Sequence, residues 1–348
     1  HDIKEIIEDK DIDVVVETMG GTSPAFEFVR DALLAGKHVT TSNKALVAAH
    51  GTELLKIARE KNVNFFFEAS VGGGIPIIRT LTESYAGEHF KEITGILNGT
   101  TNYILTKMNA EGESFEKALA TAQDLGYAER NPEADVEGHD TCRKIAILSS
   151  LATGKEVNFE NIHTEGITKI DTTDFEYAKH LNTSIKLCGD AKFENDKLYA
   201  FVAPVMVENS HPLFMVNDVF NGIMVEGNML GKSMLYGSGA GKLPTASAVV
   251  ADIVAIAKNK HGNVPFGWGE NKQEVVDMQE TSHRYFVRFM GRDSEFIEKC
   301  KSEFKDAKEV YLEGKDEFAL ITGVLKEKDF LGTLNNLSGV IKYIRTKI

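Results

Sequence analysis

Short, wholly apolar runs alternate with longer amphipathic stretches through the first 85 residues of the chain. Such runs are typical of strands buried on both faces of a sheet, whereas apolar residues spaced three or four apart are typical of helices. The pattern predicts strands at 13–17, 38–41 and 63–68, and helices at 25–35 and 45–59. This β-α-β-α-β order predicts an α/β fold with a parallel sheet joined by right-handed crossovers.

Parallel sheets of this kind often bind dinucleotides at the carboxyl ends of their strands, beside a G-x-G-x-x-G turn. No such turn follows a strand in this sequence, and the chain opens at His1 in charged residues that lead directly into the first strand. We therefore expect residues 1–88 to form the C-terminal half of a dinucleotide-binding domain, a partial Rossmann-type sheet whose first half is missing from the sequence.

The pattern changes between residues 89 and 244. A strand is predicted at 92–98, helices at 101–110, 114–125 and 140–152, and amphipathic strands at 184–193, 197–207, 222–227 and 232–236. This order predicts a second, α+β domain with a mixed sheet covered by helices on one face, which would bind substrate and form a dimer interface. The following helix, 245–258, is apolar on nearly every side and should be buried, and we expect 245–262 to pack back on the first domain.

The last stretch of the chain, 278–348, has the order strand, helix, strand, strand, helix, strand. The predicted strands are 284–290, 309–313, 318–325 and 340–346, and the predicted helices are 293–304 and 327–337. This is the order of a ferredoxin-like, split β-α-β unit. The linker at 262–270, with one proline and three glycines, marks the boundary before this third domain.

Composition and charge narrow the classes of function. The chain has 348 residues, of which 42% are hydrophobic and 26% are charged, as expected for a folded protein of two or three domains. Its net charge of −13 repels phosphate backbones and anionic lipids, which argues against nucleic-acid and membrane-surface roles. No apolar run approaches the roughly 20 residues that a membrane-spanning helix needs. We therefore expect a soluble protein.

The three cysteines, Cys142, Cys188 and Cys300, have neither paired nor metal-type spacing. This argues against a disulfide framework and favours a reducing, cytoplasmic location. The histidines show no zinc spacing either. Cys142 invites a second interpretation, the nucleophilic thiol of a semialdehyde dehydrogenase. Its place between Asp140 and Lys144, at the start of a helix, favours a buried thiol instead.

The most informative segment is 125–144, LGYAERNPEADVEGHDTCRK, in which five acidic residues lead into an apolar helix. Asp140 and Lys144 are four residues apart and therefore share one face of that helix. A surface salt bridge is the ordinary interpretation of such a pair. An acidic loop that needs cations to neutralise it, and a lysine beside an apolar helix, favour an acid/base pair instead. A lysine exchanges protons near neutral pH when its pKa falls from about 10.4 toward 7 or 8.

Three glycine-rich segments follow predicted strands. TMGG (18–21) lies just past the first strand, where dinucleotides bind, although a plain turn would also use glycine. GSGAGK (237–242) is not a phosphate loop, because Leu243 follows Lys242 where Ser or Thr is required. FEASVGGGIPII (67–78) predicts a tight strand-to-helix turn, with Pro76 in the first turn of the helix.

Six motifs, in order, resemble the homoserine dehydrogenase family, whose enzymes interconvert L-homoserine and L-aspartate 4-semialdehyde with NAD or NADP. The motifs are ETMGG (17–21), TSNKAL (41–46), FEASVGGGIPII (67–78), NGTTNYI (98–104), LGYAERNPEADVEGHDTCRK (125–144) and GSGAGKLPTASAVVAD (237–252). The resemblance covers residue 11 to about residue 260. It implies an oxidoreductase in the biosynthesis of threonine, methionine and isoleucine.

The resemblance also implies a role for each matched residue. Lys144 would exchange the proton of the substrate hydroxyl, Asp140 would orient it, and Lys44 would contact the nicotinamide side and share in proton transfer. Glu129 and Asp135 would hold the substrate's α-ammonium. The implied substrate-binding residues are Gly99, Thr100, Gly126, Tyr127, Glu129, Asp135 and Asp140, and the implied cofactor contacts are Thr18, Gly20, Lys44 and Gly241.

By the same resemblance, a structural sodium ion is expected on Glu68 and on main-chain oxygens of Val71, Gly73 and Ile75, since oxygen ligands suit a hard cation. The C-terminal unit resembles an ACT domain, an amino-acid-sensing module. The turn after its first strand, GRDSEF (291–296), lacks the Pro-Gly common at the ligand position, so threonine sensing and a purely oligomerising role both stay open. The resemblance also implies a homodimer or homotetramer. A non-catalytic amino-acid sensor is the remaining alternative function.

Overall fold

The computed structural model describes residues 2–348. Its helices are α1 (Ile3–Glu8), α2 (Ala25–Leu34), α3 (Lys44–Glu60), α4 (Ile77–Arg79), α5 (Gly99–Glu111), α6 (Phe115–Asp124), α7 (Glu133–Val136), α8 (His139–Thr153), α9 (Thr172–His180), α10 (Lys242–Lys258), α11 (Ser294–Glu303) and α12 (Glu327–Leu334). Its strands are β1 (Val14–Glu17), β2 (His38–Thr41), β3 (Phe65–Phe66), β4 (Phe90–Ile96), β5 (His163–Thr164), β6 (Thr183–Glu194), β7 (Lys197–Glu208), β8 (Phe220–Gly227), β9 (Gly231–Ser238), β10 (Ser282–Met290), β11 (Lys308–Val310), β12 (Glu317–Ile321), β13 (Leu325–Lys326) and β14 (Val340–Lys347).

The N-terminal part of the chain forms the predicted parallel sheet, with strand order β1-β2-β3. Helices α2 and α3 pack on each other and on this sheet, as the β-α-β-α-β pattern predicted. The prediction of a strand over 63–68 was too long, because only Phe65–Phe66 pairs with β2. Glu68–Ser70 forms a 3₁₀ turn instead, and it begins the glycine-rich segment that leads to α4.

Helix α10 packs back on β1, β2 and the Glu68–Ser70 turn, as expected, but the prediction that it is buried all round was wrong. Only Ala248, Val249, Asp252 and Ile256 are buried along it. Leu243, Val250 and Val254 lie on its opposite face and are 80%, 56% and 47% exposed. The apolar composition of a helix cannot tell how many of its faces find a partner. Among residues 2–348, α10 included, no helix is long and apolar enough to span a membrane.

The second sheet has eleven strands and the order β11-β12-β10-β14-β7-β6-β4-β8-β9, with β13 added to β10 and β5 added to β7. Strands β5 and β14 run parallel to β7, and the remaining pairs are antiparallel, so the sheet is mixed, as predicted. Helices α5, α8 and α9 pack on its central strands. Their placement leaves the carboxyl end of β4 beside the start of α5 and the middle of α8.

The C-terminal part of the chain has the predicted order of strands and helices, with the short strand β13 added before α12. Its four predicted strands lie in the order β11-β12-β10-β14. It does not form a separate sheet. Strand β14 pairs in parallel with β7, with Arg345 opposite Val205, which joins the two sheets into one. The segment predicted as a linker is also packed: the Phe266 ring lies 5.0 Å from the Phe67 ring, and Trp268 donates a hydrogen bond to Thr52.

Candidate active site

The starts of three helices, α5, α8 and α3, meet at the carboxyl end of β4. Asn98 follows that strand and caps α5, because its side-chain oxygen accepts a hydrogen bond from the main-chain N–H of Thr101. The acidic segment that ends at Asp140 enters α8 on the same side. Helix α3 begins at Lys44, which Asn43 precedes as its cap. These local signals bring residues from three distant parts of the sequence together.

Asp140 lies at the centre of this cluster. Its Oδ2 is 2.7 Å from the Nζ of Lys144, one helical turn further along α8, and its Oδ1 is 2.7 Å from the Nζ of Lys44. Lys144 also donates to the main-chain oxygen of Leu97 at 2.7 Å. The predicted Asp140–Lys144 pair is therefore present, and the structure adds Lys44 to it.

Burial and charge set the protonation of the three groups. Burial opposes the charged form of Asp140, which is 3% exposed, but the ammonium groups of Lys144 and Lys44 overcome it and hold the pKa of Asp140 below its ordinary value. Burial lowers the pKa of Lys144, and the nearby Lys44 lowers it further against the attraction of Asp140. The carboxylate of Asp140 raises the pKa of Lys44, whose side chain is 43% exposed. The two lysines therefore differ: the pKa of Lys144 lies below the ordinary value of a lysine, and that of Lys44 lies above it.

Asn98 is a site residue that the sequence motif contained but whose side chain was not singled out. Its Nδ2 donates to Asp140 Oδ2 at 2.9 Å and to Asp135 Oδ1 at 2.7 Å, so one amide bridges two carboxylates. Burial raises the pKa of Asp135, while the hydrogen bond from Asn98 opposes the rise. The signal that could have found Asn98 is its position as a helix cap directly after a strand.

The other substrate residues implied by the family resemblance are only partly connected to this cluster. Thr100 donates a hydrogen bond to the main-chain oxygen of Tyr127, which ties the start of α5 to the loop after α6. Tyr127 is 44% exposed, and Gly126 beside it is exposed as well. A Cβ on Gly99 would come within 2.7 Å of the Val219 oxygen, so only glycine fits there. Glu129 is exposed, and no described residue links its carboxylate to Asp140.

Two of the residues implied as cofactor contacts, Thr18 and Gly20, lie just past the end of β1. Thr18 and Gly20 are exposed, and a Cβ built on Gly20 would meet no atom within 4 Å, so the main chain there is open to a ligand. The side-chain amide of Asn43 donates to the main-chain oxygen of Gly21 at 2.7 Å. This bond places the edge of the sheet next to Lys44, and an open edge at the carboxyl end of a parallel sheet fits the dinucleotide that such sheets bind.

Gly241, also implied as a cofactor contact, is the residue before α10. Its φ of +112° is a conformation that side chains rarely adopt. The turn that it ends, 238–241, packs on the glycine-rich turn after β3, because the N–H of Gly74 donates to the oxygen of Ser238 at 3.1 Å. A Cβ on Gly73 would lie 2.5 Å from Gly239. The two glycine turns therefore pack directly on each other.

The sodium ligands implied by resemblance fit the structure in part. Both carboxylate oxygens of Glu68 accept main-chain N–H groups, from Ile78 at 2.8 Å and Arg79 at 2.9 Å, so this side chain caps α4. Burial raises the pKa of Glu68 to about 7. Among the described residues, no N–H donates to the main-chain oxygens of Val71 or Gly73. The oxygens of Val71 and Gly73 therefore carry no hydrogen bond from the described chain, whereas the Ile75 oxygen accepts one from the N–H of Ile77 at 2.8 Å and the Glu68 carboxylate is already engaged.

The thiol interpretation of Cys142 does not agree with its surroundings. The residue is 5% exposed, and its Sγ donates to the main-chain oxygen of Phe159 at 3.3 Å. Burial raises the pKa of the thiol, which suppresses the thiolate that a nucleophile needs. The expectation that Cys142 is buried is confirmed.

Comparison with known proteins agrees with this geometry. The sequence profile of the homoserine dehydrogenase family matches residues 76–254, and the profile of the homoserine dehydrogenase NAD-binding domain matches residues 1–68. The homoserine dehydrogenase of Bacillus subtilis is 39% identical over 97% of this chain and 81% of its own length. The homoserine dehydrogenase of Synechocystis is 46% identical over 73% of this chain and 60% of its own length.

Solved structures give the same result. A homoserine dehydrogenase from Thiobacillus denitrificans superposes with a TM-score of 0.92 at 34% identity, over 99% of this chain and 84% of that protein. A hyperthermophilic archaeal homoserine dehydrogenase in complex with NADPH superposes with a TM-score of 0.64 at 32% identity, over 75% of this chain and 76% of that protein. With its profile matches, its relatives and its cluster of two lysines on one aspartate, this chain belongs to the homoserine dehydrogenase family of oxidoreductases.

Proposed function

We propose that this protein interconverts L-homoserine and L-aspartate 4-semialdehyde with a nicotinamide cofactor, and that Lys144 exchanges the hydroxyl proton. The observation that carries the proposal is that Lys144 is 7% exposed and shares the single carboxylate of Asp140 with Lys44. A desolvated ammonium that has only part of a counter-charge gives up its proton more readily than an exposed one.

The proton moves in opposite directions in the two reactions. When L-homoserine is oxidised, neutral Lys144 takes the proton of the hydroxyl while the hydrogen on the same carbon departs as hydride. When the semialdehyde is reduced, the ammonium form of Lys144 returns a proton to the forming alkoxide. The nicotinamide ring accepts or supplies the hydride when the cofactor is bound. Asp140 remains ionised throughout and holds the Nζ of Lys144 in place.

The substrate's α-ammonium is assigned to Asp135 and Glu129. Asp135 supports this role because it lies in the cluster, bridged to Asp140 by Asn98, and its pKa is raised by burial, as expected for a carboxylate that lacks a full counter-charge. Gly99, Thr100, Gly126 and Tyr127 would shape the pocket around the rest of the substrate, and the Thr100–Tyr127 hydrogen bond supports their grouping.

The cofactor is assigned to the edge formed by Thr18, Gly20 and Lys44 on one side of the cleft and by Gly241 on the other. The match to an NAD-binding domain supports a nicotinamide dinucleotide, either NAD or NADP. The exposure of Thr18 and the open space at Gly20 support the placement.

The test is homoserine-dependent reduction of NAD and of NADP by the protein and by three variants. We expect turnover by the wild type, loss of turnover in Lys144→Met, and retained turnover in Cys142→Ala. Lys107→Met, which removes an exposed lysine paired with Glu111 on α5, is the matched control and should keep full activity. Turnover lost in Cys142→Ala but kept in Lys144→Met would favour a thiol mechanism. Absence of wild-type turnover with tight amino-acid binding would favour the sensor.

A sodium ion is proposed at the turn formed by Glu68, Val71, Gly73 and Ile75, with a structural role. The unbonded main-chain oxygens of Val71 and Gly73 support it. Thermal unfolding in sodium chloride and in choline chloride at equal ionic strength tests it. A higher midpoint in sodium supports the site, and equal midpoints contradict it.

We propose that the chain divides into 1–88 together with 245–262, a catalytic and dimerisation domain at 89–244, and an ACT-like domain at 278–348. The strand order β11-β12-β10-β14 with two helices supports an ACT-like unit. Threonine would be its effector, and calorimetric titration with threonine tests this role. An absence of binding would leave the unit an oligomerisation module.

A homodimer or homotetramer is proposed through the outer strands β8 and β9. The rings of Phe220 and Tyr236 stack there with their centroids 5.2 Å apart. Tyr236 is 55% exposed, and Met215 is 71% exposed. Exposed apolar side chains grouped in this way are typical of subunit interfaces. Light scattering should give at least a dimer mass for the wild type and a lower mass for Tyr236→Glu. A wild-type monomer would contradict the proposal.

A further inference from the structure

Asn221, at the start of β8, is the most unusual polar residue of the catalytic region. It is 0% exposed, and neither its Oδ1 nor its Nδ2 forms a hydrogen bond with any described residue. A buried amide without partners costs about 1–3 kcal/mol. Such a group suggests that its partners are supplied in another arrangement of the surrounding chain.

The pairing of β4 with β8 places Asn221 beside the proton-transfer cluster. Gly95 lies opposite Ile223 and Ile96 lies opposite Gly222, so one step further along the strands places Leu97 next to Asn221. Leu97 is the residue whose main-chain oxygen accepts a hydrogen bond from Lys144. Side chains two apart on a strand share a face, so Asn221 faces the same side of the sheet as Ile223.

On that side, the carboxamide of Asn221 lies directly under the 238–241 turn. A Cβ built on Gly239 would come within 2.0 Å of the Asn221 Cγ and Nδ2, so the α-carbon of this glycine touches the amide. The same stretch of chain contacts Gly73 on its other side, and Ser238 accepts the hydrogen bond from Gly74. The turn is therefore bonded to the glycine turn on one side, and rests on Asn221 without a bond on the other.

The turn leads directly into α10, and no described side chain caps the start of that helix. Gly241 is the capping residue, and it provides no side-chain hydrogen bond to the helix start. The conformational freedom of glycine allows this turn to shift by small changes of its main-chain angles. A shift of this kind would bring a main-chain N–H and a main-chain oxygen of the turn within reach of the waiting amide.

We propose that Asn221 is a positioning residue for the 238–241 turn: its carboxamide hydrogen-bonds the main chain of the turn when a dinucleotide occupies the cleft, and thereby fixes the turn against the cofactor. The inference rests on the proposed function through the assignment of Gly241 as a cofactor contact. Two neutral hydrogen bonds at about 0.5–1.5 kcal/mol each correspond to about a tenfold change in dinucleotide affinity.

The test compares Asn221→Leu with Thr346→Val in the intact enzyme. Thr346, on β14, is also buried and its hydroxyl also lacks a partner among the described residues, so both variants replace an unpartnered polar group by an apolar one of similar size. We expect both to unfold at the wild-type temperature or above it without ligand. Asn221→Leu alone should weaken the equilibrium binding of NADPH, measured by fluorescence titration, by about tenfold. Hydrogen exchange of the 238–241 peptide should then slow less on NADPH binding than in the wild type.

In a positioning role, Asn221→Leu weakens NADPH binding without lowering the unfolding temperature. In a merely structural role, it does not. NADPH affinity of Asn221→Leu within twofold of the wild type would overturn the inference and leave the proposed function intact. A fall of unfolding temperature together with affinity would also overturn it, because a packing defect explains both. A wild-type enzyme that binds no dinucleotide would overturn the proposed function, and this inference with it.

Discussion

Lys144, which is buried, and Lys347, which is half-buried, show how the number of neighbouring carboxylates sets the pKa of a lysine. Lys144 lies in the cleft and shares one carboxylate, Asp140, with a second lysine. Lys347 lies on β14 and holds two carboxylates, Glu92 at 2.7 Å and Asp190.

The pKa values of the two lysines move in opposite directions. Burial lowers the pKa of Lys144, and its single shared carboxylate does not restore it. Burial also opposes the charge of Lys347, but Asp190 and Glu92 together raise its pKa well above the ordinary value. Lys347 therefore holds its proton more tightly than an ordinary lysine does, whereas Lys144 holds its proton less tightly.

The other cations of the C-terminal part follow the pattern of Lys347. Arg288 pairs with Asp171, Asp174 and Glu317, and Arg345 pairs with Glu165 and Glu327. These over-neutralised cations join the C-terminal strands to the catalytic part. The sequence does not distinguish the ion pairs around Asp140 from those between the C-terminal strands and the catalytic part. They differ in the ratio of charges: two lysines share one carboxylate at Asp140, whereas Arg288 and Arg345 each contact more than one carboxylate.

The largest expected effect separates the two lysines directly. Lys144→Met should lower kcat by about 10²–10⁴-fold, the usual contribution of a general acid or base, and should leave the unfolding temperature nearly unchanged. Lys347→Met should lower the free energy of unfolding by about 1–3 kcal/mol, because it leaves Glu92 and Asp190 without their partner, and should change kcat only a few-fold. Steady-state kinetics and urea unfolding of both variants measure this. A loss of stability without a loss of kcat in Lys144→Met, and the opposite result in Lys347→Met, would contradict the comparison.

The second prediction concerns the shared carboxylate. Asp140→Asn should lower kcat by about 10²–10³-fold, since it removes the group that holds Lys144. It should also lower the pKa of Lys144 further, because the attraction of the carboxylate is lost and Lys44 remains. The rising limb of homoserine oxidation, which requires neutral Lys144, should then move to lower pH. Asp190→Asn is the control and should leave the pH profile in place. A rising limb that lies at the same pH as in the wild type, or at a higher pH, would contradict the account.

Glu68 offers the matching case for a carboxylate. Burial raises its pKa from 4.5 to about 7, so the folded state holds a proton that the unfolded state has released. The contribution of Glu68 to stability is therefore greatest below pH 4.5 and falls as the pH rises to about 7, by about 3 kcal/mol in all. Glu68→Gln should remove this loss, as measured by urea unfolding at several pH values. Glu83→Gln, at an exposed position on the same segment, should retain it. If the free energy of unfolding changed with pH equally in Glu68→Gln and in the wild type, Glu68 would not titrate in this range.

The smallest expected effect is that of the second cleft lysine. Lys44 lowers the pKa of Lys144 by charge repulsion, so Lys44→Met should raise that pKa and move the oxidation profile to higher pH, opposite to Asp140→Asn. The effect is smaller because the Lys44 side chain is 43% exposed and water screens its charge. The pH profile of kcat measures it, and a shift to lower pH would contradict the proposed charge balance.

Much of the cleft could be predicted from sequence because its signals are local. The Asp140–Lys144 pair is a helix spacing, and the β-α-β-α-β order of the N-terminal part is a periodicity. The family resemblance indicated Lys44 on the nicotinamide side, but its ion pair with Asp140 was not predicted, since nothing local links residues so far apart.

The remainder depends on packing that no local pattern records. The pairing of β14 with β7 joins two regions about 140 residues apart, so the C-terminal part could not be distinguished from a separate domain. The exposure of Leu243 and Val250 on α10 likewise depends on which faces find partners. Asn221 could not be singled out from sequence for the same reason, because what distinguishes it is a buried carboxamide without hydrogen bonds to any described residue.

The most direct test of the central claim is the crystal structure of the enzyme with L-homoserine and an oxidised nicotinamide dinucleotide. The account predicts that the Nζ of Lys144 lies within about 3.2 Å of the substrate hydroxyl oxygen while it remains paired with Asp140. A hydroxyl oxygen beyond hydrogen-bond reach of that nitrogen, with Lys144 bonded only to Asp140 and Leu97, would contradict it.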